Sequence, residues 1–257
     1  MRLRNIPEAK GIVAASPFVI RDPEGRKGTW KRPGRPLVLE IGMGKGRFII
    51  EQALLHPDWD FLGIERYESV LFRACEKMEG ISYETPAMRL ERLKREEKER
   101  VRSGREMSGG AEADTLDRED FVPPENLHFL HMDAGKLPEV FAEGEVDRIY
   151  LNFSDPWPKA RHARRRLTSR EFLALYAQVL ADGGVIEFKT DNVPLFEFSL
   201  EEIRETEPFS LESFTFDLHH DPVLCEGNVM TEYEKKFSNL GNRICKLTAV
   251  FHKTVHH

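Results

Sequence analysis

Leu37-Val-Leu-Glu-Ile-Gly-Met-Gly-Lys-Gly46 decides the fold. A short, mostly apolar run after Pro33-Gly-Arg-Pro36 reads as a buried strand. Glycines at 42, 44 and 46 then form a turn where backbone can approach a ligand closely and point amides at it. Phe48-Ile-Ile50 and Ala53-Leu-Leu55 follow at helical spacing, and His56-Pro57 ends that helix. Working outward, the alternation repeats. Asp60-Phe-Leu-Gly-Ile64 is a second strand ending at Glu65, and Val70 to Met78 has helical spacing. Leu127 to Leu130 is a third strand ending near Asp133, and Val146 to Phe153 a fourth ending at Asp155. Thr168-Ser-Arg-Glu171 reads as a capping box for a helix to Leu180, stopped by Gly183-Gly184. Val185 to Thr190 is a fifth strand ending at Asp191. Asn192 caps the next helix, with Pro194 in its first turn. Strand–helix alternation of this kind predicts an α/β fold, doubly wound, with a parallel sheet covered on both faces. Ser213 to Leu218 and Ile244 to Phe251 read as a final strand pair joined by a long loop.

The remainder of the chain narrows the function class. It has 257 residues, 40% hydrophobic and 32% charged, which excludes collagen-like, low-complexity and globally disordered chains. No apolar run approaches the roughly 18 residues that span a bilayer. The start, Met1 to Lys10, lacks the apolar core of a secretory signal. Cys75, Cys225 and Cys245 stand far apart, which speaks against a disulfide framework and a cysteine zinc site. No metal and a reducing, cytoplasmic setting are expected. From about 84 to 124 the apolar period fails. Charge of both signs crowds Arg89 to Arg100, and Ser103 to Asp114 is rich in Gly, Ser and Ala. That stretch reads as an insertion into one domain spanning 1–257, one solvated helix followed by flexible chain.

Three ligands compete for the glycine turn. A phosphate-binding P-loop needs Ser or Thr after its Lys, but Gly46 follows Lys45. A dinucleotide fingerprint needs a glycine at 47, where Arg stands. Glu40-x-Gly-x-Gly-x-Gly46 fits S-adenosylmethionine, against the plain alternative of a tight strand-to-helix turn. Glu65 supports the ligand. It ends the second strand, and strand ends of a doubly wound sheet gather along the ligand-binding edge. A carboxylate there accepts hydrogen bonds from ribose hydroxyls. Asp133, at the next strand end, suits an adenine amino group. Glu40, Glu65, Asp133 and Asp155 together suit a nucleoside that also carries a cationic sulfur and an ammonium.

Leu151-Asn-Phe-Ser-Asp-Pro-Trp-Pro-Lys-Ala-Arg-His-Ala-Arg-Arg-Arg-Leu167 is the most specific segment. It places an acid, an aromatic ring and a basic run directly after a strand. Lys159 to Arg170 carries six basic residues and no acid, although the net charge is −6. A base can stack on the ring and phosphates can meet the arginines, so RNA is favoured over a merely solvated face.

This segment, with Phe188-Lys-Thr-Asp-Asn192 and Thr231-Glu-Tyr-Glu-Lys-Lys-Phe-Ser-Asn-Leu-Gly241, resembles the bacterial tRNA (guanine-N7-)-methyltransferase family. The similarity covers nearly the whole chain outside the insertion. It implies a class I, Rossmann-like methyltransferase fold: a mostly parallel seven-stranded sheet with one antiparallel strand. It implies transfer of a methyl group from S-adenosylmethionine to N7 of guanine 46 in the tRNA variable loop, by a monomer or homodimer with no membrane partner. Carried over motif by motif, the resemblance gives Glu40, Gly42, Gly44, Gly46, Glu65, Asp133 and Asp155 to the cofactor. Asp155 is also the catalytic acid. Lys159, Asp191, Thr231, Glu232, Tyr233 and Glu234 fall to the substrate, and Arg161, Arg164, Arg165 and Arg166 to RNA.

Overall fold

A computed structural model describes residues 9–80 and 121–253. Of the insertion expected at 84–124, residues 84–120 lie outside the described residues, as do Arg2, Arg4, His256 and His257. Seven strands form one sheet: β1 (Leu37–Ile41), β2 (Asp60–Glu65), β3 (Leu127–His131), β4 (Val146–Asn152), β5 (Leu180–Thr190), β6 (Phe209–Thr215) and β7 (Cys245–Phe251). Their order is β3-β2-β1-β4-β5-β7-β6. β1 to β5 pair in parallel, and β7 runs antiparallel to both its neighbours, so it is the one reversed strand.

The apolar runs form strands because both sheet faces are covered. All residues of β1 and β2 are buried. Val38 and Phe61 face a core completed by α1 (Ala9–Ala15), α2 (Arg47–Leu55) and α3 (Glu68–Met78). Leu37, Leu39 and Ile41 face the opposite core. That core is completed by α4 (Leu137–Val140), α5 (Arg170–Ala177) and α6 (Val193–Glu205). The chain works outward from β1 to β3, then returns to place β4 on the other side of β1. This reversal opens a crevice beyond the carboxyl ends of β1 and β4, the position where such sheets bind ligands.

Several local expectations are corrected. Thr168 does not cap α5. Its hydroxyl bonds Ser199 Oγ at 2.6 Å, Ser169 occupies the cap position, and the Arg170 amide donates instead to Glu202 Oε2 at 2.6 Å. A residue on α6 therefore replaces the local cap. α5 ends at Ala177, not Leu180, because Leu180 already pairs with Val146 as the start of β5. Gly183-Gly184 sit inside that strand, where its register against β4 shifts. β6 begins at Phe209 rather than Ser213, and Leu218 lies in a turn. The long connection to β7 contains a short helix, α7 (Glu232–Ser238), where a loop was expected. Asn192 does cap α6, accepting from the Leu195 amide at 2.9 Å.

Candidate active site

The glycine turn lies between β1 and α2. Gly46 is the residue before α2 and has φ 76°, and a Cβ there would come 2.9 Å from the Ala74 Cβ. Glycine thus serves two needs at once: a left-handed backbone and close approach of α3. Glu65, at the end of β2, reaches back to this turn. Its carboxylate accepts from the Gly44 amide at 3.2 Å and from the Tyr67 amide at 3.0 Å. Burial nevertheless raises its pKa, outweighing those backbone donors. Asp133 follows β3, accepts from the Gly135 amide at 2.9 Å, and its side chain remains about half exposed beside Arg66.

Glu40 is the most perturbed of the strand-end acids. It is buried in β1, opposite Tyr150 of β4. Oε1 accepts from Asn152 Nδ2 at 2.9 Å, while Oε2 is buried without a partner. Burial pushes its pKa up to about 8, against the opposing pull of Asn152 and the nearby Lys189. A buried carboxylate oxygen with no donor requires an explanation, and a cationic ligand group would supply one.

Beyond β4 the backbone twists sharply. Phe153 and Trp157 have φ of 51° and 41°, both in the left-handed region that non-glycine residues rarely enter. Such strain persists only where the surroundings enforce it, and it collects at functional sites. It brackets Asp155, which is exposed at the lip of a cleft of about 270 Å³. Glu65, Asp133, Asp155, Trp157 and Arg165 all line this cleft. A second cavity of about 250 Å³ is lined by Glu40, the three glycines, Thr231, Glu232 and Tyr233. Gly42 and Phe153 line both. Together they reach the size class of small-ligand sites.

The basic run does not behave as one unit. Lys159, Arg161, Arg164 and Arg165 are exposed, and the Arg165 guanidinium lies 5.0 Å over the Trp157 ring. Arg166 turns inward. It donates to the carbonyls of Pro156 at 3.0 Å and Trp157 at 3.1 Å and stacks 4.2 Å over Phe198. Its task in the free protein is to hold the loop that carries Asp155.

The 231–234 segment divides in the same way. Thr231 Oγ1 accepts from the Glu234 amide at 2.9 Å and so caps α7. Glu232 faces the second cavity, paired with Lys77 and, at 3.5 Å, with Lys45. The two lysines overcome burial and hold its carboxyl below the usual range. Tyr233 is exposed, 4.9 Å from the Phe153 ring, with its hydroxyl 3.4 Å from Asp191. Asp191 also accepts from Asn242 at 3.0 Å. Glu234 points away from both cavities into the interior, where it pairs with Lys189 at 2.7 Å. Asn152 and Phe153 were not singled out individually from the sequence. A polar residue directly after the apolar run Ile149-Tyr-Leu151 was the available signal for Asn152. Nothing marked Phe153, because its left-handed backbone and its place between the two cavities emerge only in the fold. Among the described residues, no group of His, Cys, Asp and Glu is disposed to hold a metal ion, and no helix is long and apolar enough to cross a membrane.

The strand order is that of the class I methyltransferase fold, with the cleft beyond β1 and β4. The fold matches two solved structures, an antibiotic-related methyltransferase (TM-score 0.51, 16% identity, 90% of this chain and 92% of that one) and the 16S rRNA methyltransferase KamB (TM-score 0.52, 15% identity, 86% and 91%). The family described as "Putative methyltransferase" matches residues 34–93 and 104–247. The chain belongs to the tRNA (guanine-N(7)-)-methyltransferase family. It is 44% identical to the protein of that name from Lachnoclostridium phytofermentans, over 97% of this chain and 98% of the relative. It is also 44% identical to the one from Geobacillus thermodenitrificans, over 97% of each.

Proposed function

We propose that this protein transfers the methyl group of S-adenosylmethionine to N7 of a guanine in the tRNA variable loop, position 46, in the cytoplasm. The observation that carries this reading is the shared cleft. Asp155, Trp157 and Arg165, from the acid–aromatic–basic segment, line the same space as Glu65 and Asp133. On this reading a nucleoside site and an RNA-binding surface adjoin.

The residues present fit the cofactor. Glu65 and Asp133 would take the ribose hydroxyls and the adenine amino group, and the orphaned Glu40 oxygen would take a cationic group of the methionine moiety. Bound S-adenosylmethionine supplies an electrophilic methyl carbon: the N7 lone pair forms the new C–N bond as the C–S bond breaks, leaving the neutral thioether. Guanine N7 is an unprotonated acceptor on the major-groove edge, so no base has to deprotonate it. The protein's contribution is alignment and charge. Asp155, exposed at the cleft, would offset the positive charge that develops on the guanine or accept from its N1–H and N2–H. Phe153, which lines both cavities, and Tyr233, which lines the second, offer ring faces, and Asp191 anchors the Tyr233 hydroxyl. Arg161, Arg164 and Arg165 would meet phosphates and help offset the few kcal/mol needed to extrude a base from folded tRNA.

Incubation with methyl-labelled S-adenosylmethionine and total tRNA, followed by nuclease digestion, tests the reading. Label in 7-methylguanosine is expected. Label in another nucleoside, or none, overturns it.

A further inference from the structure

We propose that Glu234 and Lys189 are positioning residues: a buried ion pair that docks α7, and with it Glu232 and Tyr233, over the cavity. This rests on the tRNA methyl-transfer reading for its consequence, but not for its geometry.

A helix of seven residues is too short to persist by itself and depends on what it packs against. Helices usually dock by an apolar stripe. α7 has none. Its single buried side chain is Glu234, fully buried and ionisable. Its aromatic residues lie outward, with Tyr233 exposed and Phe237 half-buried against it at 4.1 Å.

Glu234 is instead fully engaged. Oε2 meets the Lys189 ammonium at 2.7 Å, and Oε1 meets Asn228 Nδ2 at 2.8 Å and His219 Nε2 at 3.0 Å. Burial by itself would raise the Glu234 pKa, but Lys189, with His219 and Asn228, holds it below the usual range. Lys189 is equally committed. Its three donors go to Glu234, to Asn228 Oδ1 at 3.1 Å and to the Val229 carbonyl at 2.9 Å, with the Phe48 ring 5.1 Å away. The network therefore ties α7 to β5, to the turn after β6 and to the loop before α7.

Lys189 also holds the opposite wall. Its carbonyl accepts from the Phe153 amide at 2.8 Å, and Phe153 faces Tyr233. One residue thus fixes both rings at the cavity mouth, through its side chain on one side and its backbone on the other. A carboxylate that is fully buried and already holds three partners is not open to guanine. Within the 231–234 segment, substrate contact falls to Glu232 and Tyr233.

The test is amide hydrogen exchange on the full-length protein, paired with methyl-transfer kinetics. In Glu234→Gln, the amides of 232–238 are expected to exchange at least tenfold faster, with β1 to β4 as in the wild type. KM for tRNA is expected to rise severalfold while S-adenosylmethionine affinity stays within twofold. Unchanged exchange at 232–238 overturns the proposal, and does so most plainly if methyl transfer collapses, since Glu234 would then be touching substrate. Should Glu234→Gln fail to fold, Lys189→Met/Glu234→Leu replaces the pair without leaving a lone buried charge. It is expected to fold and to protect 232–238 better than Lys189→Met does, and equal protection in the two overturns the clamp. If the wild type itself left tRNA unmethylated, the functional reading would fail while the exchange result still decided the clamp.

Discussion

Glu40 shows how a single buried side chain can report on ligand binding. With its carboxyl pushed up to about 8 by burial, the free protein holds a proton there at neutral pH. The folded-state pKa is raised, so this group contributes stability that is present at acid pH and lost as pH rises from the ordinary carboxylate range towards 8. A cationic ligand beside Oε2 favours the carboxylate, so binding expels the proton. S-adenosylmethionine affinity is therefore expected to rise between pH 6 and 8, by at most about tenfold per pH unit. Glu40→Gln is expected to lack that component. Calorimetry in buffers of different ionisation enthalpy checks it, and equal proton release by wild type and Glu40→Gln would exclude Glu40 as the source. Asp155 belongs to the same scale. Asp155→Ala is expected to leave the fold intact and slow single-turnover transfer by at least about 100-fold, the cost of removing one preorganised electrostatic group. Glu65→Ala is expected mainly to weaken the cofactor. The strand-end acids were legible in the sequence because each follows a short apolar run that only a buried strand explains. The orphaned Glu40 oxygen was not legible, because it depends on which atoms of β4 come to lie beside β1.

Among the elements, the loop from Phe153 to Arg166 separates two roles that its sequence blends. Arg161, Arg164 and Arg165 are exposed, whereas Arg166 holds the Pro156 and Trp157 carbonyls. Replacing the first three by Ala is expected to weaken tRNA binding and to flatten its log–log salt dependence by about 0.7–0.9 unit per lost phosphate contact. Arg166→Ala is expected to keep the wild-type salt slope but to slow methyl transfer, because the strained turn around Asp155 loses its support. Filter binding from low to moderate salt, with single-turnover rates, separates the two, and a matching loss of slope in Arg166→Ala would return it to the phosphate-binding set. Sequence could not make this division, since Phe198, which receives the Arg166 guanidinium, lies far along the chain on α6. α7 escaped notice for a related reason. Periodicity detects apolar faces, and its buried face is a carboxylate. Thr168 misled in the opposite direction, offering a correct local capping pattern that Ser199 and Glu202 override from α6.

For the whole molecule, doubly wound topology does the gathering. Glu40, Glu65, Asp133 and Asp155 are scattered over more than a hundred residues, yet each lies near or just beyond the carboxyl end of a strand, so the sheet brings them to one edge. That consequence was legible from strand–helix alternation alone, because parallel strands point the same ends in the same direction. The charge distribution works at the same scale. The chain is acidic overall at −6, so a polyanion must be met by a local cluster rather than by net charge, and one of the exposed arginines of that cluster, Arg165, lines the cleft. Under the proposed function, both features would serve one atom of the substrate, guanine N7. The most direct measurement compares two otherwise identical tRNAs, one with guanosine at position 46 and one with 7-deazaguanosine there, which carries a C–H in place of N7. Methyl transfer from S-adenosylmethionine is expected to the first and to be abolished with the second. Undiminished transfer to the 7-deaza tRNA would contradict the account, since the methyl group would then be going to a different atom.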